Sequence, residues 1–445
     1  MDLFESDRIK YIKNGEGIKG EYIVYWMQEC QRTKYNFSLK TAIKLSRENG
    51  LPIYVLFNYL SGYPEASKRH YDFMLQGLKD VKDELEIKGI KFIFLEGDIL
   101  KNISKICQKA GFVIWDKGYL KYQIDIRKKL LNLIDATVIE VENNVVIPVE
   151  KVSLKEEYSA KTLRDKYNKI KRDSEERFFY EEYTETEYKN IEIESLDCSD
   201  RYIPRVKKEL DGEFLGGEKE AFKRLDHFIK NNLRFYSDKG PDNEVSSKLS
   251  PYLHFGQISP LEILYEIERV KKFSKEKNEF LEEVIIRREL AINFVYYNKN
   301  YDSWKGITYD WAYKTLEKHL SDTRTYLYSE QELEEFNTHD IYWNACQRQL
   351  VSTGYMESYM RMYWCKKILE WSENPEIAYK IAIKLNNKYL YDGRDPNSYA
   401  GVAWCFGKHD RAWREREIFG KIRYMNSEGL KRKYNMEKYL EKYSK

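Results

Sequence analysis

Along the first 150 residues, short apolar runs alternate with stretches of helical period. The runs are YIVYWM (22–27), IYVLF (53–57), KFIFL (91–95), FVIW (112–115) and TVIEV (137–141). Each is rich in β-branched or aromatic residues and has the length of a strand buried on both faces. Between them, 36–49, 69–88, 99–110 and 122–133 read as helices. In the second of these, Tyr71, Leu75, Leu78 and Leu85 fall at helical spacing. Strands alternating with helices predict a doubly wound parallel α/β sheet, Rossmann-like, over 20–150. The region carries neither GxGxxG nor GxxxxGK[ST], so the usual dinucleotide and triphosphate fingerprints are absent. From 201 to 445 the period is helical: 219–234, 260–273, 278–297, 330–336, 344–370 and 375–386 predict an all-α domain.

Charge separates these two parts. Residues 151–174 hold eight Lys/Arg and four Asp/Glu, and residues 175–200 hold two and ten. Such blocks read as a solvated linker over 151–200, with one helix near 159–172. The last 41 residues, 405–445, hold twelve Lys/Arg and six Asp/Glu, while the whole 445-residue chain carries a net charge of only +3. That balance excludes a protein coated in basic residues but leaves room for one basic face. Aromatic residues make up 15% of the chain, which argues against extensive disorder. The six cysteines (Cys30, Cys107, Cys198, Cys346, Cys365, Cys405) include no CxxC pair, so no zinc site and no disulfide framework is supported. No window approaches a membrane span, and MDLFESDRIK has no signal-peptide core. A protein of the cytosol with reduced thiols is expected.

Four segments carry candidate chemistry. In EVSSKLSPYLHFGQISP (244–260), Ser246, Ser247 and Ser250 surround Lys248 and Leu249, with Pro251 at a favourable first helical position. The hydroxyls can cradle a phosphate, or simply cap a helix. In YMRMYWCKKILEW (359–371), Trp364 and Trp371 are seven apart and share a helix face, with Trp343 on the preceding helical stretch. They form either a core stripe or a relay for single electrons between a buried cofactor and the surface. Arg361, between Met360 and Met362, needs an acid if buried, and Asp392 in YDGRDPN is the candidate. In FLEEVIIRRELAINF (280–294), Glu282, Glu283 and Glu289 lie among apolar residues, where a carboxyl can have a raised pKa; pairing with Arg287 and Arg288 is the simpler reading. The C-terminal VAWCFGKHDRAWREREIFGKIRYMN interleaves Trp404, Lys408, Arg411, Trp413, Arg423 and Tyr424, the composition of a surface that neutralises phosphates and stacks bases. His409 has no metal-ligand partner nearby, and no metal is expected.

Taken together, YWMQECQRTKYNFSLKTAI, KLSPYLHFGQIS, RREL, YWNACQ, YMRMYWCKKILEW, LNNKYLYDGRDPN and FGKIRYMN resemble, in order and over essentially the whole chain, the photolyase/cryptochrome superfamily. The resemblance is greatest to its class II cyclobutane pyrimidine dimer photolyases. It implies an α/β antenna domain (20–150), a linker (151–200) and a helical FAD- and DNA-binding domain (201–445). It implies reduced FAD (FADH−) as the active cofactor, and a second, antenna chromophore of deazaflavin or folate type. The implied partner is UV-damaged DNA, whose cyclobutane dimer is flipped out and split by an electron from the photoexcited flavin. A monomer of the prokaryotic cytosol or nucleoid follows from the same resemblance.

Residue by residue, Tyr236 and the 246–250 segment (Ser246, Ser247, Lys248, Leu249, Ser250) match the FAD diphosphate cradle. Arg361 and Asp392 match the ion pair beside the isoalloxazine, with Gly393 next to it. Asn386 matches the asparagine facing flavin N5. Trp364, Trp371 and Trp343 match the photoreducing tryptophans, and Glu283 the carboxylic acid that hydrogen-bonds the dimer. Met362, Trp404 and Arg287 fall in the dimer pocket, Arg287 where some relatives carry Trp. Arg411, Trp413 and Arg423 fall on the DNA contact surface. A cryptochrome-like photoreceptor without repair is the alternative. A (6-4) photolyase would require a histidine pair in the pocket, which only His254 and His409 could supply.

Overall fold

The computed structural model describes residues 5–15, 20–173 and 214–444. Six strands form one sheet: β1 (Ile9–Lys13), β2 (Tyr22–Trp26), β3 (Ile53–Tyr59), β4 (Lys91–Glu96), β5 (Ala110–Asp116) and β6 (Thr137–Val141). Their order is β1-β6-β5-β2-β3-β4. β2 to β6 are parallel, as the five apolar runs predict, and every residue of β2 is buried. β1 is an addition to the predicted sheet and pairs antiparallel with β6 at the edge. Its sequence IKYIK is largely exposed, so it lacks the apolar signature of a two-sided strand. β2 lies between β3 and β5, and this is the switch point at which the chain's crossovers change direction.

The helices follow their local signals. Phe37–Asn49 starts where the Asn36 side chain accepts from the Leu39 N–H and stops at Gly50 in the left-handed region. The predicted helix 344–370 is two, Ile341–Thr353 and Ser358–Trp371, because Gly354 (φ +67°) terminates the first. The predicted helix 278–297 is also interrupted. A π-helical turn, Glu282–Arg287, lies between Ser274–Leu281 and Arg288–Tyr297. Such a turn inserts an extra residue and rotates the side chains that follow.

One apolar core runs from the sheet into the helical half, joining Ile23, Tyr25 and Val55 to Leu249, Phe280 and Ile285. Polar pins hold the same junction. The Glu218 carboxylate accepts from the Thr33 N–H, the Thr33 hydroxyl and the Lys34 N–H at 2.9–3.0 Å. The buried Arg32 donates to the Gly256 and Asn143 carbonyls. The basic part of the predicted linker is packed, not solvated: in the helix Ala160–Asp173, Leu163 and Tyr167 enter the shared core and Arg164 bonds Glu282 at 2.6 and 2.9 Å. The acidic part, 175–200, and Cys198 lie outside the described residues. Cys30, Cys107, Cys346, Cys365 and Cys405 are buried free thiols.

Candidate functional site

The helical half encloses a cavity of about 520 Å³, within the range that takes a large organic ligand. Its wall includes Tyr236, Ser246, Ser247, Lys248, Leu249 and Ser250 from one side. Lys248 takes a left-handed conformation (φ +51°), which turns this short segment along the cavity. Ser250 opens the helix Ser250–His254 but does not cap it: its buried Oγ has no hydrogen-bond partner among the described residues, and the residue lines the cavity. Ser246 and the Tyr355 hydroxyl are hydrogen-bonded at 2.8 Å, and Tyr355 donates to Glu357 at 3.2 Å. Burial raises the Glu357 pKa, against the Ser246 and Tyr355 bonds and Arg361. Tyr355 and Glu357 were not singled out from sequence. Their only local signal is the GYMES turn, where Glu357 takes the N-cap position of the tryptophan-bearing helix.

Opposite this segment, Arg361 Nη1 and Nη2 donate to the two Asp392 oxygens, each at 3.0 Å. This bidentate geometry is the strongest form of the pair. Burial alone would lower the Arg361 pKa, but Asp392 raises it, so the charge is locked in. Asn386, on the helix Pro375–Tyr389, also faces the cavity. Gly393 does not. It stands in the turn behind, where a Cβ would lie 2.7 Å from the Asn387 carbonyl oxygen, so it shapes the wall without forming it.

Trp364 lines the cavity, and a row of rings leads away from it. Trp364 and Trp343 are parallel, 4° between planes and 6.5 Å between centroids, and Trp371 follows at 5.7 Å from Trp343. Both inner indoles are anchored: Trp343 Nε1 donates to the Trp364 carbonyl at 2.9 Å, and Trp364 Nε1 to Gln347 at 2.8 Å. Trp371 is 2% exposed, so the three indoles alone do not reach the surface. The row reaches solvent through Tyr328 and His339, 5.6 and 5.1 Å from Trp371, and then through the exposed Tyr326 stacked on His339.

The mouth is made by the π-helical turn and the C-terminal segment. Glu283, Arg287, Met362, Trp404, His409 and Arg423 all line it. Glu283 lies 3.7 Å from Lys239 and 3.8 Å from Arg287. Glu289, one residue into the following helix, faces the sheet and accepts from the Val146 N–H at 2.6 Å. Burial lifts its pKa to about 7, against that bond and the charges of Arg288 and Arg8. The Arg287 guanidinium lies 4.9 Å from the Trp404 ring centre. Arg411 and Trp413 stand outside the cavity on the surface. Arg411 and Arg423 lie 4.9 and 5.2 Å from the half-exposed Trp413 ring, a basic and aromatic ledge beside the mouth. Of the two histidines the sequence offered, His254 pairs with Asp395 at 3.3 Å near the sheet, and only His409 reaches this cavity. Among the described residues no cluster of three His, Cys, Asp or Glu side chains can hold a metal.

A second cavity, about 160 Å³, lies at the carboxyl ends of β2 and β3, near the switch point. Trp26, Tyr63, Tyr122, Gln123, Arg127 and Arg394 are among its walls.

The sequence profile of the DNA photolyase family matches residues 23–185. The deoxyribodipyrimidine photo-lyase of Methanothermobacter thermautotrophicus is 41% identical over 99% of this chain and 98% of its own length. That of Arabidopsis thaliana is 38% identical over 94% of this chain and 88% of its own. In fold, the chain is similar to an archaeal photolyase from Sulfolobus tokodaii, solved with two FAD molecules. The TM-score is 0.72 at 18% identity, covering 95% of this chain and 89% of that one. Matched along almost its entire length by deoxyribodipyrimidine photo-lyases, the chain belongs to the DNA photolyase family.

Proposed function

We propose that the chain is a class II cyclobutane pyrimidine dimer photolyase that repairs DNA with blue or near-UV light. The carrying observation is that one cavity joins a serine-lined cradle, a bidentate ion pair and the inner end of a tryptophan row at one end, and a basic, aromatic mouth at the other. The donor set fits FAD. Lys248 and the serines suit a diphosphate, and the Ser250 hydroxyl, unpartnered among the described residues, can donate to one. Arg361 and Asp392 would hold the isoalloxazine, with Asn386 at its N5 edge. Bound and reduced, the flavin supplies on excitation the electron that opens the cyclobutane ring.

The protein's own residues do the rest. Trp404, Met362 and Arg287 wall the space for a flipped-out dimer, and Glu283 offers it a hydrogen-bonding carboxyl. Arg423 and Arg411 neutralise backbone phosphates, and Trp413 gives a stacking face. Trp364, Trp343 and Trp371 would pass single electrons from a reductant at the surface toward the flavin site. The 160 Å³ cavity at the sheet is the site for an antenna chromophore of deazaflavin or folate type. That volume is below the usual range for a ligand of such size. The protein acts as a monomer in the cytosol; no helix of the described residues is long and apolar enough to cross a membrane.

An absorption spectrum of the purified protein, followed by dark binding to dimer-containing DNA, tests this reading. Flavin bands and preferential binding of the dimer are expected. A flavoprotein that photoreduces normally yet binds damaged and undamaged DNA alike would be the signalling photoreceptor instead.

A further inference from the structure

Two buried polar atoms at the mouth have no hydrogen-bond partner among the described residues, and they are of opposite kinds. Arg287 Nε is a donor. Glu282 and Glu283 lie 3.6 and 3.8 Å from it, near enough to balance its charge but too far for a hydrogen bond. His409 Nε2 is an acceptor. The ring's Nδ1 lies 2.9 Å from the Tyr158 carbonyl oxygen, which can only accept, so Nδ1 carries the proton. Nε2 is then a bare lone pair. Burial depresses the pKa of this imidazole to about 3; the Tyr158 bond opposes that and Lys408 adds to it. The ring therefore stays neutral at physiological pH and does not donate a proton from Nε2. Trp404 connects the two groups, with Arg287 at 4.9 Å from its ring centre and His409 edge-on at 6.4 Å.

Each unmet group is a cost to the free protein that a ligand with the complementary group removes. A thymine extruded from the stack shows both complements on its Watson–Crick edge. Its carbonyl oxygens accept, and its N3–H donates. Arg287, His409 and Trp404 line the same cavity, so a base entering against Trp404 comes within reach of both side chains.

We propose that Arg287 and His409 are the specificity-determining pair for the extruded dimer: Arg287 donates to a pyrimidine carbonyl, and His409 Nε2 accepts the N3–H. This rests on the repair reading above. It makes the mouth a reader of base identity as well as of shape, and it favours thymine over any base whose N3 lacks hydrogen.

The test is dark binding of flavin-loaded protein, by fluorescence anisotropy, to three duplexes. One carries a thymine dimer, one the same dimer methylated at N3, and one is undamaged. N3-methylation should weaken wild-type binding roughly tenfold or more, since a site built to hydrogen-bond a group rejects the analogue lacking it. His409→Phe should weaken binding of the unmethylated dimer only, erasing the difference. Arg287→Met should reduce the preference for dimer over undamaged DNA roughly tenfold at an unchanged salt slope. Equal wild-type affinity for the two dimers overturns the His409 assignment without requiring any variant to fold. A methylation penalty that persists in His409→Phe is steric and overturns it too. A salt slope smaller by about one, with dimer preference intact, makes Arg287 a phosphate contact and overturns its part. If wild-type protein does not prefer the dimer to undamaged DNA, the repair reading itself has failed.

Discussion

The inner end and the mouth of the large cavity are built on different terms. At the inner end the chain satisfies its own charges and leaves the neutral Ser250 hydroxyl unmet among the described residues: Arg361 and Asp392 meet through two 3.0 Å bonds, and Ser246, Tyr355 and Glu357 form one network. These groups stand on or beside two regular helices, Ser358–Trp371 and Pro375–Tyr389. At the mouth, Arg287 and His409 keep unmet atoms, on a π-helical turn and on the loop after Pro396–Cys405. Walls set in advance suit a resident cofactor, because little ordering remains to be done on binding. An unmet donor and an unmet acceptor beside a partly exposed aromatic wall suit a ligand that arrives, is read and leaves. That division is what a flavoenzyme acting on DNA requires.

The sharpest way to break the comparison is at the inner end. Trp364→Phe should abolish light-driven reduction of the oxidised flavin, followed by bleaching of its absorption, and largely spare repair when the flavin is reduced chemically beforehand. Unchanged photoreduction would take Trp364 out of the path. Next, Arg361→Gln leaves the nearly buried Asp392 without its cation. Arg361 is partly exposed, so the loss should be about 2 kcal/mol, below that of a fully buried pair. It would appear as a lower melting temperature and as flavin lost on gel filtration. Retention of both would show that the pair does not organise the inner end.

Arg423→Ala probes the mouth. It should leave the flavin in place, weaken DNA binding moderately and lower the salt slope by about one, as expected for one phosphate contact. A slope identical to wild type would argue against that contact.

The smallest effect lies away from both ends. The Glu289 pKa of about 7 is above its ordinary 4.5, so between those values the folded chain holds a proton that the unfolded chain has released. Stability therefore falls as pH rises through that window. Glu289→Gln mimics the protonated acid and keeps an acceptor for Val146. It should melt higher than wild type at pH 8 and alike at pH 4; equal offsets at both values would contradict the assignment.

Much of the fold was legible because its strands are buried on both faces and so read as unbroken apolar runs, as in YIVYW and IYVLF. IKYIK escaped notice because an exposed edge strand has no such run. The π-helical turn at 282–287 escaped because one extra residue hardly disturbs a helical period, although it decides that Glu283 faces the mouth while Glu289 faces the sheet. Arg361 could be matched to Asp392 from sequence, since a cation among apolar residues demands an acid. His409 could not be given a role. Its orphaned nitrogen depends on the Tyr158 carbonyl, 251 positions earlier in the chain.

The most direct test of the central claim is to count cyclobutane dimers in irradiated DNA, by chromatography, before and after blue light in the presence of protein loaded with reduced FAD. The account predicts that dimers disappear and pyrimidines are recovered in the light, with no change in the dark. Persistence of the dimers under light, in a sample shown to hold the flavin and to bind the lesion, would contradict it.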